Sequence, residues 1–206
     1  MEILLSNSHF LFPHSYFLFN LVHYLQMSSI PKTYLTANEV TRDSFLLAHK
    51  VFASGFRPEA VIALWRGGTP VGVVVQEYLQ TRGNPCYHTA VKITSYTDIG
   101  SHSEPVLENM DNVRAQLKPN SDILIVDDIF DTGKTAEAMY RLLSPITPNI
   151  RFAMPYYKPS NNKTNLTPDY FVREIDSWLV FPHEILGLSP DEIQAKDPFI
   201  AELLKS

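Results

Sequence analysis

The sequence predicts an α/β fold in which helices cover both faces of a mostly parallel, twisted β-sheet. Short apolar runs of strand length, such as residues 59–65 and 122–126, alternate along the chain with longer segments that carry helical signals. Strands and helices that alternate in this way form a parallel sheet with helices packed on it. Two adjacent acids, Asp127 and Asp128, follow one of the apolar runs directly. We expect them at the carboxyl edge of the sheet, which is where ligands bind in such folds.

Local signals set the order of the remaining elements. Thr36 and Glu39 have the spacing of a capping box, which predicts the start of a helix. Gly55 and Gly83 follow helical segments and are predicted to end them. In chain order we predict a helix (36–55), a strand (59–65), a turn (66–70) into a helix that ends before Gly83, a strand (87–96), a polar loop (97–108), a strand (122–126), a helix (135–143), two strand-like runs (150–157 and 170–175) and one or two short amphipathic helices (189–206).

Composition and charge exclude several classes of protein. The 206 residues, 45% hydrophobic and 19% charged, are typical of one globular domain. A net charge of -5 and the lack of any basic stripe argue against nucleic acid as a partner. The single cysteine, Cys86, excludes an internal disulfide and fits a reducing compartment. We therefore expect a cytoplasmic protein.

Residues 1–26 differ from the rest of the chain. They are rich in Phe, Leu, Tyr and His and contain neither Lys nor Arg, whereas a signal peptide begins with basic residues. Polar residues and a proline interrupt them too often for a membrane helix, so no membrane partner is expected. We treat 1–26 as an artefact or loose extension and 27–206 as the working domain. The alternative is a segment that binds a membrane surface or a partner.

Residues 123–135, ILIVDDIFDTGKT, combine three acids with a loop suited to a phosphate group. The start of a helix offers unpaired N–H donors and a partial positive charge, and both favour a bound phosphate. Gly133 lets the backbone approach the ligand closely, and the hydroxyls of Thr132 and Thr135 add donors. A phosphorylated ribose needs both features, because its phosphate suits the helix start and its hydroxyls suit the carboxylates.

Two other interpretations explain less of this stretch. A Walker A loop, G-x-x-x-x-G-K-[ST], would need a glycine where Asp128 stands, and an acid there would repel a triphosphate. A capped surface helix with solvated acids would explain one acid and one threonine. It would not explain a pair of acids fused to the end of a buried strand.

The stretch closely resembles the phosphoribosyl-pyrophosphate (PRPP) signature of type I phosphoribosyltransferases: an apolar strand, two acids, and then Thr-Gly-Gly/Lys-Thr/Ser. The resemblance implies the type I fold with a small C-terminal hood. It also implies that Asp127 and Asp128 hold the ribose diol. The residues that it assigns to the 5′-phosphate are Asp131, Thr132, Gly133, Lys134 and Thr135.

A second match covers the run Trp65-Arg66-Gly67-Gly68, which resembles the pyrophosphate loop of the family. Arg66 offers a fork of donors to phosphate oxygens, and Gly67 lets backbone N–H groups approach them. Members of the family often have a cis peptide bond here, which would join Trp65 to Arg66. The alternative is a glycine turn between strand and helix with an incidental arginine.

A third match, Ser95-Tyr96, resembles the Ser-Tyr pair on the catalytic flap of purine-salvage members. Flaps exclude water from a reactive intermediate. Related enzymes often place a basic residue in this flap, whereas residues 97–108 contain neither Lys nor Arg. Pyrophosphate binding would therefore depend on Arg66, backbone amides and magnesium. An ordinary surface loop is the alternative.

The remaining matches concern the base that the enzyme uses. Members that take 6-oxopurines have aspartate at the position of Asp131, where it handles a proton as the base attacks the sugar. Lys158 matches a lysine that donates to the purine 6-oxygen, with a solvated surface lysine as the alternative. Residues 176–184 resemble the C-terminal purine-binding stretch of such enzymes. By this resemblance, Trp178 would stack on the base, the backbone of Leu179 would bind its edge, and Glu184 would lie near a metal ion. Plain core packing is the alternative for Trp178.

The resemblance as a whole implies a 6-oxopurine phosphoribosyltransferase of purine salvage. Its partners would be PRPP and hypoxanthine, guanine or xanthine, and its cofactor Mg²⁺, held in part by Asp127 and Glu184. Relatives are dimers or tetramers, so we expect a homo-oligomer. Two alternatives stay open: a type I transferase for another base, and a non-catalytic regulator that senses PRPP or nucleotides on the same fold.

Overall fold

The computed structural model describes residues 31–94, 106–108 and 110–205. The extension 1–26 and the predicted flap residues Ser95 and Tyr96 lie outside the described residues. The chain divides into a larger unit, Leu35–Asp176, and a smaller unit, whose described residues are 31–34 and 177–205. Within these ranges no helix has the length and apolar character needed to cross a membrane.

A five-stranded sheet forms the centre of the larger unit. Its strands are β2 (Ala60–Trp65), β3 (Tyr87–Thr94), β4 (Val106–Leu107), β5 (Ile123–Val126) and β7 (Ile150–Ala153). They lie in the order β4-β3-β2-β5-β7. Four of the strands are parallel to one another, and the edge strand β4 runs antiparallel to β3. The predicted parallel sheet is therefore confirmed.

Helices cover both faces of this sheet, as predicted. The helices of this unit are α1 (Ala37–Ala53), α2 (Gly68–Thr81), α3 (Met110–Gln116) and α4 (Lys134–Leu143). On one face, α2 packs so closely on β2 that a Cβ at Gly72 would lie 2.5 Å from Cβ of Ala63. On the other face, Ile62 and Ile125 share a buried apolar core with Val113 of α3 and Met139 of α4.

The ends of the helices follow the predicted signals. Both hydrogen bonds of the capping box are present at the start of α1, where Glu39 N–H donates to Oγ1 of Thr36 at 3.2 Å and Thr36 N–H donates to Oε2 of Glu39 at 2.8 Å. Gly55 and Gly83 follow α1 and α2 with φ of 86° and 79°. These left-handed conformations favour glycine, so both residues end their helices as predicted.

Two predicted segments differ from the structure. The run 150–157 is two strands, β7 and β8 (Tyr156–Tyr157), which belong to different sheets because Pro155 between them cannot donate to a ladder. Part of the predicted polar loop pairs as β4, and only Arg173–Glu174 (β9) of the run 170–175 is a strand. The helix α3 follows that loop and was not predicted.

A second, smaller sheet in the larger unit combines β6 (Ile129–Phe130), β8 and β9 in the order β6-β8-β9. All of its pairs are parallel. The strand β6 begins directly after the two adjacent acids that follow β5. The signature therefore spans both sheets, and its acids lie at the junction between them.

The smaller unit contains a two-stranded parallel sheet of β1 (Lys32–Tyr34) and β10 (Trp178–Val180). Two short helices follow, α5 (Pro190–Lys196) and α6 (Pro198–Leu203), as predicted for the end of the chain. A capping box at Ser189 and Glu192 begins α5, and Nζ of Lys32 on β1 bonds Oε1 of Glu192 at 2.6 Å. The ion pair ties β1 to α5 within this unit.

Candidate active site

The strand order of the main sheet places a crevice between β2 and β5. The chain goes from β2 to its neighbour β3 and later returns to β5 on the other side of β2. In open α/β sheets the loops at such a reversal diverge, and ligands bind between them at the carboxyl ends of the strands. The two loops that leave β2 and β5 here are the predicted pyrophosphate loop and the PRPP signature. The fold therefore brings these two matches together.

Glycines make the contact between these two loops possible. A Cβ built on Gly67 would overlap the carboxylate of Asp128, and one built on Gly68 would lie 2.5 Å from the carbonyl oxygen of Val126. No larger residue fits at either position without displacing the acids. The peptide bond between Trp65 and Arg66 is cis, as the resemblance predicted, and the Arg66 side chain is exposed.

Asp127 and Asp128 form a coupled pair at the end of β5. Oδ1 of Asp127 accepts the N–H of Asp128 at 3.0 Å, and its carboxylate also accepts the N–H of Gly68. Burial, and next the charge of Asp128, raise the pKa of Asp127 well above its usual value. The two side chains also share a hydrogen bond, which one acid can donate only when it is protonated. The pair is thus suited to hydroxyl donors or a cation.

The predicted phosphate loop, residues 131–135, follows the acids and β6 and runs into the start of α4. Gly133 is the N-cap of α4 and has a φ of 77°, a conformation that favours glycine. The side chain of Lys134 is exposed and does not line the cavity at this loop. That cavity has a volume of about 180 Å³ and is lined by Asp127, Asp128, Ile129, Phe130, Asp131, Thr132, Gly133, Thr135, Ala136 and Met154.

Residues 158–166, which we call the belt, follow β8 and hold the phosphate loop by its backbone. The N–H of Lys158 donates to the carbonyl oxygen of Phe130 at 2.9 Å. The N–H of Lys163 donates to the carbonyl oxygen of Thr132, also at 2.9 Å. These bonds fix the belt to both ends of the short stretch that contains Asp131.

Side chains of the belt reach the residues between and beyond those bonds. Nδ2 of Asn161 donates to Oδ1 of Asp131 at 2.7 Å. A Cβ on Gly133 would overlap Oγ1 of Thr164 and lie 2.7 Å from Oδ1 of Asn162. Asn161, Asn162 and Thr164 were not predicted from the sequence. The contacts join residues about thirty positions apart, and no local pattern signals them.

Lys158, the predicted contact to the purine 6-oxygen, is 8% exposed. This burial excludes the alternative of a solvated surface lysine, because lysine is buried only where its charge has partners. The residue belongs to the belt, as Asn161 does. Lys158 and Asp131, the predicted contact to the purine 6-oxygen and the predicted proton acceptor, thus lie on two segments that backbone hydrogen bonds join.

The remaining predicted contacts to the base lie in the smaller unit. Trp178 is 39% exposed, and its N–H donates to the carbonyl oxygen of Pro31 at 3.0 Å, towards β1. Because the backbone groups of successive strand residues point to opposite sides, those of Leu179 turn away from β1. Leu179 as a whole is 5% exposed, so little of its backbone or side chain is open to solvent.

Glu184, the other predicted contact of this unit, is held in a loop by local bonds. Its Oε2 accepts the N–H of Phe181 at 3.1 Å. Nζ of Lys196 donates to the carbonyl oxygens of Phe181 and Glu184, and burial, as the largest cause, lowers the pKa of this lysine. Lys196 therefore organises the loop.

Comparison with known proteins identifies the family. The family model of the phosphoribosyl transferase domain matches residues 33–187 of the sequence. The chain belongs to the phosphoribosyl transferase domain family. This confirms the predicted fold class and the predicted class of enzyme, a phosphoribosyltransferase.

Solved structures with the same fold include a purine phosphoribosyltransferase from Pyrococcus horikoshii Ot3, at 27% identity and a TM-score of 0.61, covering 77% of this chain and 97% of that chain. A hypothetical protein from Neisseria gonorrhoeae with bound ppGpp has 20% identity and a TM-score of 0.64, covering 84% of this chain and 97% of that chain. A hypoxanthine phosphoribosyltransferase from Staphylococcus aureus has 17% identity and a TM-score of 0.56, covering 73% of this chain and 80% of that chain. The last two show a shared fold.

The donor set of this phosphoribosyltransferase fits a magnesium ion that binds together with its substrate. Among the residues that the structure describes, no three His, Cys, Asp or Glu side chains form a group that could hold a metal ion. Mg²⁺ is commonly held by one or two carboxylates and by substrate phosphates. The paired carboxylates of Asp127 and Asp128 are hard oxygen ligands of this kind.

The basic residues nearest in sequence to the predicted flap and to Glu184 already have protein partners. Nζ of Lys92, at the end of β3, forms an ion pair with Oε1 of Glu108 at 2.8 Å. Lys196 is bonded to backbone carbonyls, as described above. Arg66 therefore remains the predicted side-chain cation for pyrophosphate in this phosphoribosyltransferase.

Proposed function

We propose that the protein transfers the 5-phosphoribosyl group of PRPP to N9 of a 6-oxopurine, namely hypoxanthine, guanine or xanthine. The products are a nucleoside 5′-monophosphate and pyrophosphate, as in purine salvage. One observation carries the proposal: Asp131 lines the cavity of the phosphate loop, and the buried Lys158 lies on the belt that holds this loop. The relative from Pyrococcus horikoshii, a purine phosphoribosyltransferase at 27% identity, also supports it.

The ribose phosphate is held from both ends. Donors at the start of α4 bind the 5′-phosphate, and Asp127 and Asp128 accept hydrogen bonds from the 2′- and 3′-hydroxyls. These hydroxyls offset the repulsion between the two partly buried acids. The bond from C1 to the pyrophosphate oxygen breaks through an oxocarbenium-like state, and the leaving group is held by Arg66 and the backbone N–H groups of its loop. Magnesium, when bound, neutralises charge on the pyrophosphate.

Contacts to the base set its orientation and move its proton. N9 forms the new bond to C1 while Asp131 takes or shares the proton at N7. Lys158 can only donate, so it favours the 6-oxygen of a 6-oxopurine over the amino group of adenine. We assign Trp178 to stacking on the base and the backbone of Leu179 to its edge. The orientation of the Leu179 backbone away from β1 supports this assignment, and Glu184 is assigned to the metal side together with Asp127.

The decisive experiment measures pyrophosphate release from PRPP and Mg²⁺ with hypoxanthine, guanine, xanthine, adenine, uracil and orotate, each supplied separately. We expect release with one or more of the first three alone. Release with adenine, uracil or orotate instead would contradict the roles of Asp131 and Lys158. Retained PRPP binding without release for any base would contradict the proposed transfer and favour a sensing role.

We also propose that the protein is a cytoplasmic homo-oligomer, a dimer or a tetramer. Trp65 and Val73 are 55% and 63% exposed, so both apolar side chains are available for a contact between subunits. Light scattering at micromolar concentration would test this, and a monomer would contradict it.

A further inference from the structure

Asp131 has a partner that the sequence did not predict. The side-chain amide of Asn161 donates to Oδ1 of Asp131 at 2.7 Å, and the two residues are 30 positions apart. Both side chains are partly buried. A carboxylate has two oxygens, so this bond engages one of them and leaves Oδ2 to face a ligand.

The backbone holds Asn161 in place from both sides. Asn161 ends a short 3₁₀ turn, Pro159–Asn161, and its N–H donates to the carbonyl oxygen of Lys158 at 3.2 Å. Two residues later, the N–H of Lys163 bonds the carbonyl oxygen of Thr132 at 2.9 Å. Asn161 therefore reaches Asp131 from a segment that is anchored before and after it, which gives the side-chain amide little freedom to turn away.

We infer that Asn161 is a positioning residue that fixes the carboxylate of Asp131 relative to Lys158, an inference that rests on the proposed function. In a 6-oxopurine, O6 and N7 are neighbours on one edge of the base, where O6 accepts a hydrogen bond and a proton carried at N7 can be donated. Lys158 is assigned to the first and Asp131 to the second. Asn161 bonds the backbone of one and the side chain of the other, so it sets the spacing at which both meet that edge.

The chemistry of an amide suits this role. A carboxamide does not titrate and keeps its N–H donors whether Asp131 is charged or has taken the proton from the base. It therefore holds Oδ1 throughout the transfer and keeps Oδ2 directed at N7. Positioning of this kind acts on the bond-forming step, because a small misplacement of a reacting group lowers the rate steeply.

The test is a double-mutant cycle between Asn161→Ala and Asp131→Asn. Asp131→Asn alone should lower kcat by about 100-fold, the range for loss of a proton-transfer group. Asn161→Ala alone should lower kcat by about 10-fold or more and leave the KM for PRPP within about twofold. Combined, the two changes should cost no more than Asp131→Asn alone, because Asn161 acts through Asp131.

Asn162→Ala is the matched control, since it removes the same side-chain amide from the next residue of the belt. Nδ2 of Asn162 donates to the carbonyl oxygen of Leu166 at 2.8 Å, and its Oδ1 accepts the N–H of Thr164 at 3.0 Å. Any loss that this variant causes should be the same with Asp131 or with Asn at position 131. If Asn161→Ala fails to fold, Asn161→Leu keeps about the size of the side chain, removes the donor without adding a charge beside Asp131, and should give the same non-additive loss.

Three outcomes would overturn the inference, and they differ in what they say of the proposed function. An unchanged kcat for Asn161→Ala beside a large loss for Asp131→Asn would reject Asn161 and leave the proposed function intact. Equal losses from Asn161→Ala in both backgrounds would assign Asn161 a structural role. An unchanged kcat for Asp131→Asn would reject the proposed role of Asp131 and, with it, the inference.

Discussion

Two acids of the larger unit, the buried Asp43 and the partly buried Asp127, have opposite surroundings. Asp43 on α1 is 1% exposed, and it accepts hydrogen bonds from the hydroxyl of Tyr156 at 2.9 Å and from Nη2 of Arg173 at 2.9 Å. Asp127 lies beside another acid, and its pKa is raised by burial and by that charge. The fold thus supplies the partners of Asp43, whereas the proposed function leaves those of Asp127 to the substrate.

The role of Asp43 is architectural, because its partners lie on two strands of the small sheet. Burial, followed by the hydrogen bond to Asp43, raises the pKa of Tyr156, so the phenol stays a donor over the whole physiological range. The carboxylate ties α1 to β8 and β9. Since β8 is paired with β6, Asp43 supports the sheet that carries the start of the phosphate loop.

The largest effect is expected from Asp127→Asn. It should lower turnover by about 100-fold or more, since it removes a charge that stabilises the reacting ribose. The thermal midpoint Tm should be unchanged or higher, because the repulsion with Asp128 is lost. Turnover at saturating PRPP, together with a melting curve, checks this, and a lower Tm with full turnover would reverse the roles of the two acids.

The matched change, Asp43→Asn, should show the opposite pattern. It disrupts the acceptor for Tyr156 and Arg173 and should cost about 2–3 kcal/mol of unfolding free energy. The exposed half of Arg173 limits the share of this cost that comes from the ion pair. Denaturant unfolding gives the free energy, and turnover well below Tm should be close to that of the unaltered protein. A large loss of turnover without loss of stability would contradict the comparison.

The pH dependence of stability should report on Asp127. A carboxyl group whose pKa is raised by folding stabilises the fold most when it is protonated, and this contribution is lost as the pH rises through the raised value. The Tm of the unaltered protein relative to that of Asp127→Asn should therefore fall as the pH rises above the ordinary carboxyl pKa, about 4. A difference in Tm that does not fall as the pH rises would contradict a raised pKa for Asp127.

A smaller effect of opposite sign is expected from Glu192 in the smaller unit. Its hydrogen bond with Lys32 is the main cause that lowers its pKa, so its contribution is present above the ordinary carboxyl pKa and is lost as the pH falls. Glu192→Gln should cost less than about 1 kcal/mol near pH 7 and less still in acid. Chemical denaturation at both pH values measures this, and an equal cost at the two would contradict it.

The acids of the signature could be predicted from the sequence because everything that positions them is contiguous. An apolar strand, two acids and a glycine before a helix fix the edge of the sheet, the pair and the phosphate loop within thirteen residues. Gly67 and Gly68 could be predicted from the family pattern. Their contact with Asp127 and Asp128 follows from the reversal of strand order beside β2, which needs the order of the whole sheet.

Features that depend on distant pairing were missed. Asn161 reaches Asp131 only because β6 pairs with β8, and a Pro-Ser-Asn-Asn stretch alone looks like any turn. Asp43 lies in an amphipathic helix as one more charged residue, and its burial becomes evident only once Tyr156 and Arg173 are in place. The seven-residue helix α3 is too short to give a clear period.

The passage of the chain between two sheets has a consequence for redesign. The acids proposed to hold the ribose end a strand of the main sheet, whereas Lys158 and Asn161 follow a strand of the small one, and the two sets meet along the predicted phosphate loop. If the proposed function holds, substitutions after β8 will alter which base is accepted while the strand that presents the two acids is left untouched. A library confined to residues 158–164 is the place to search for a transferase with a new base preference.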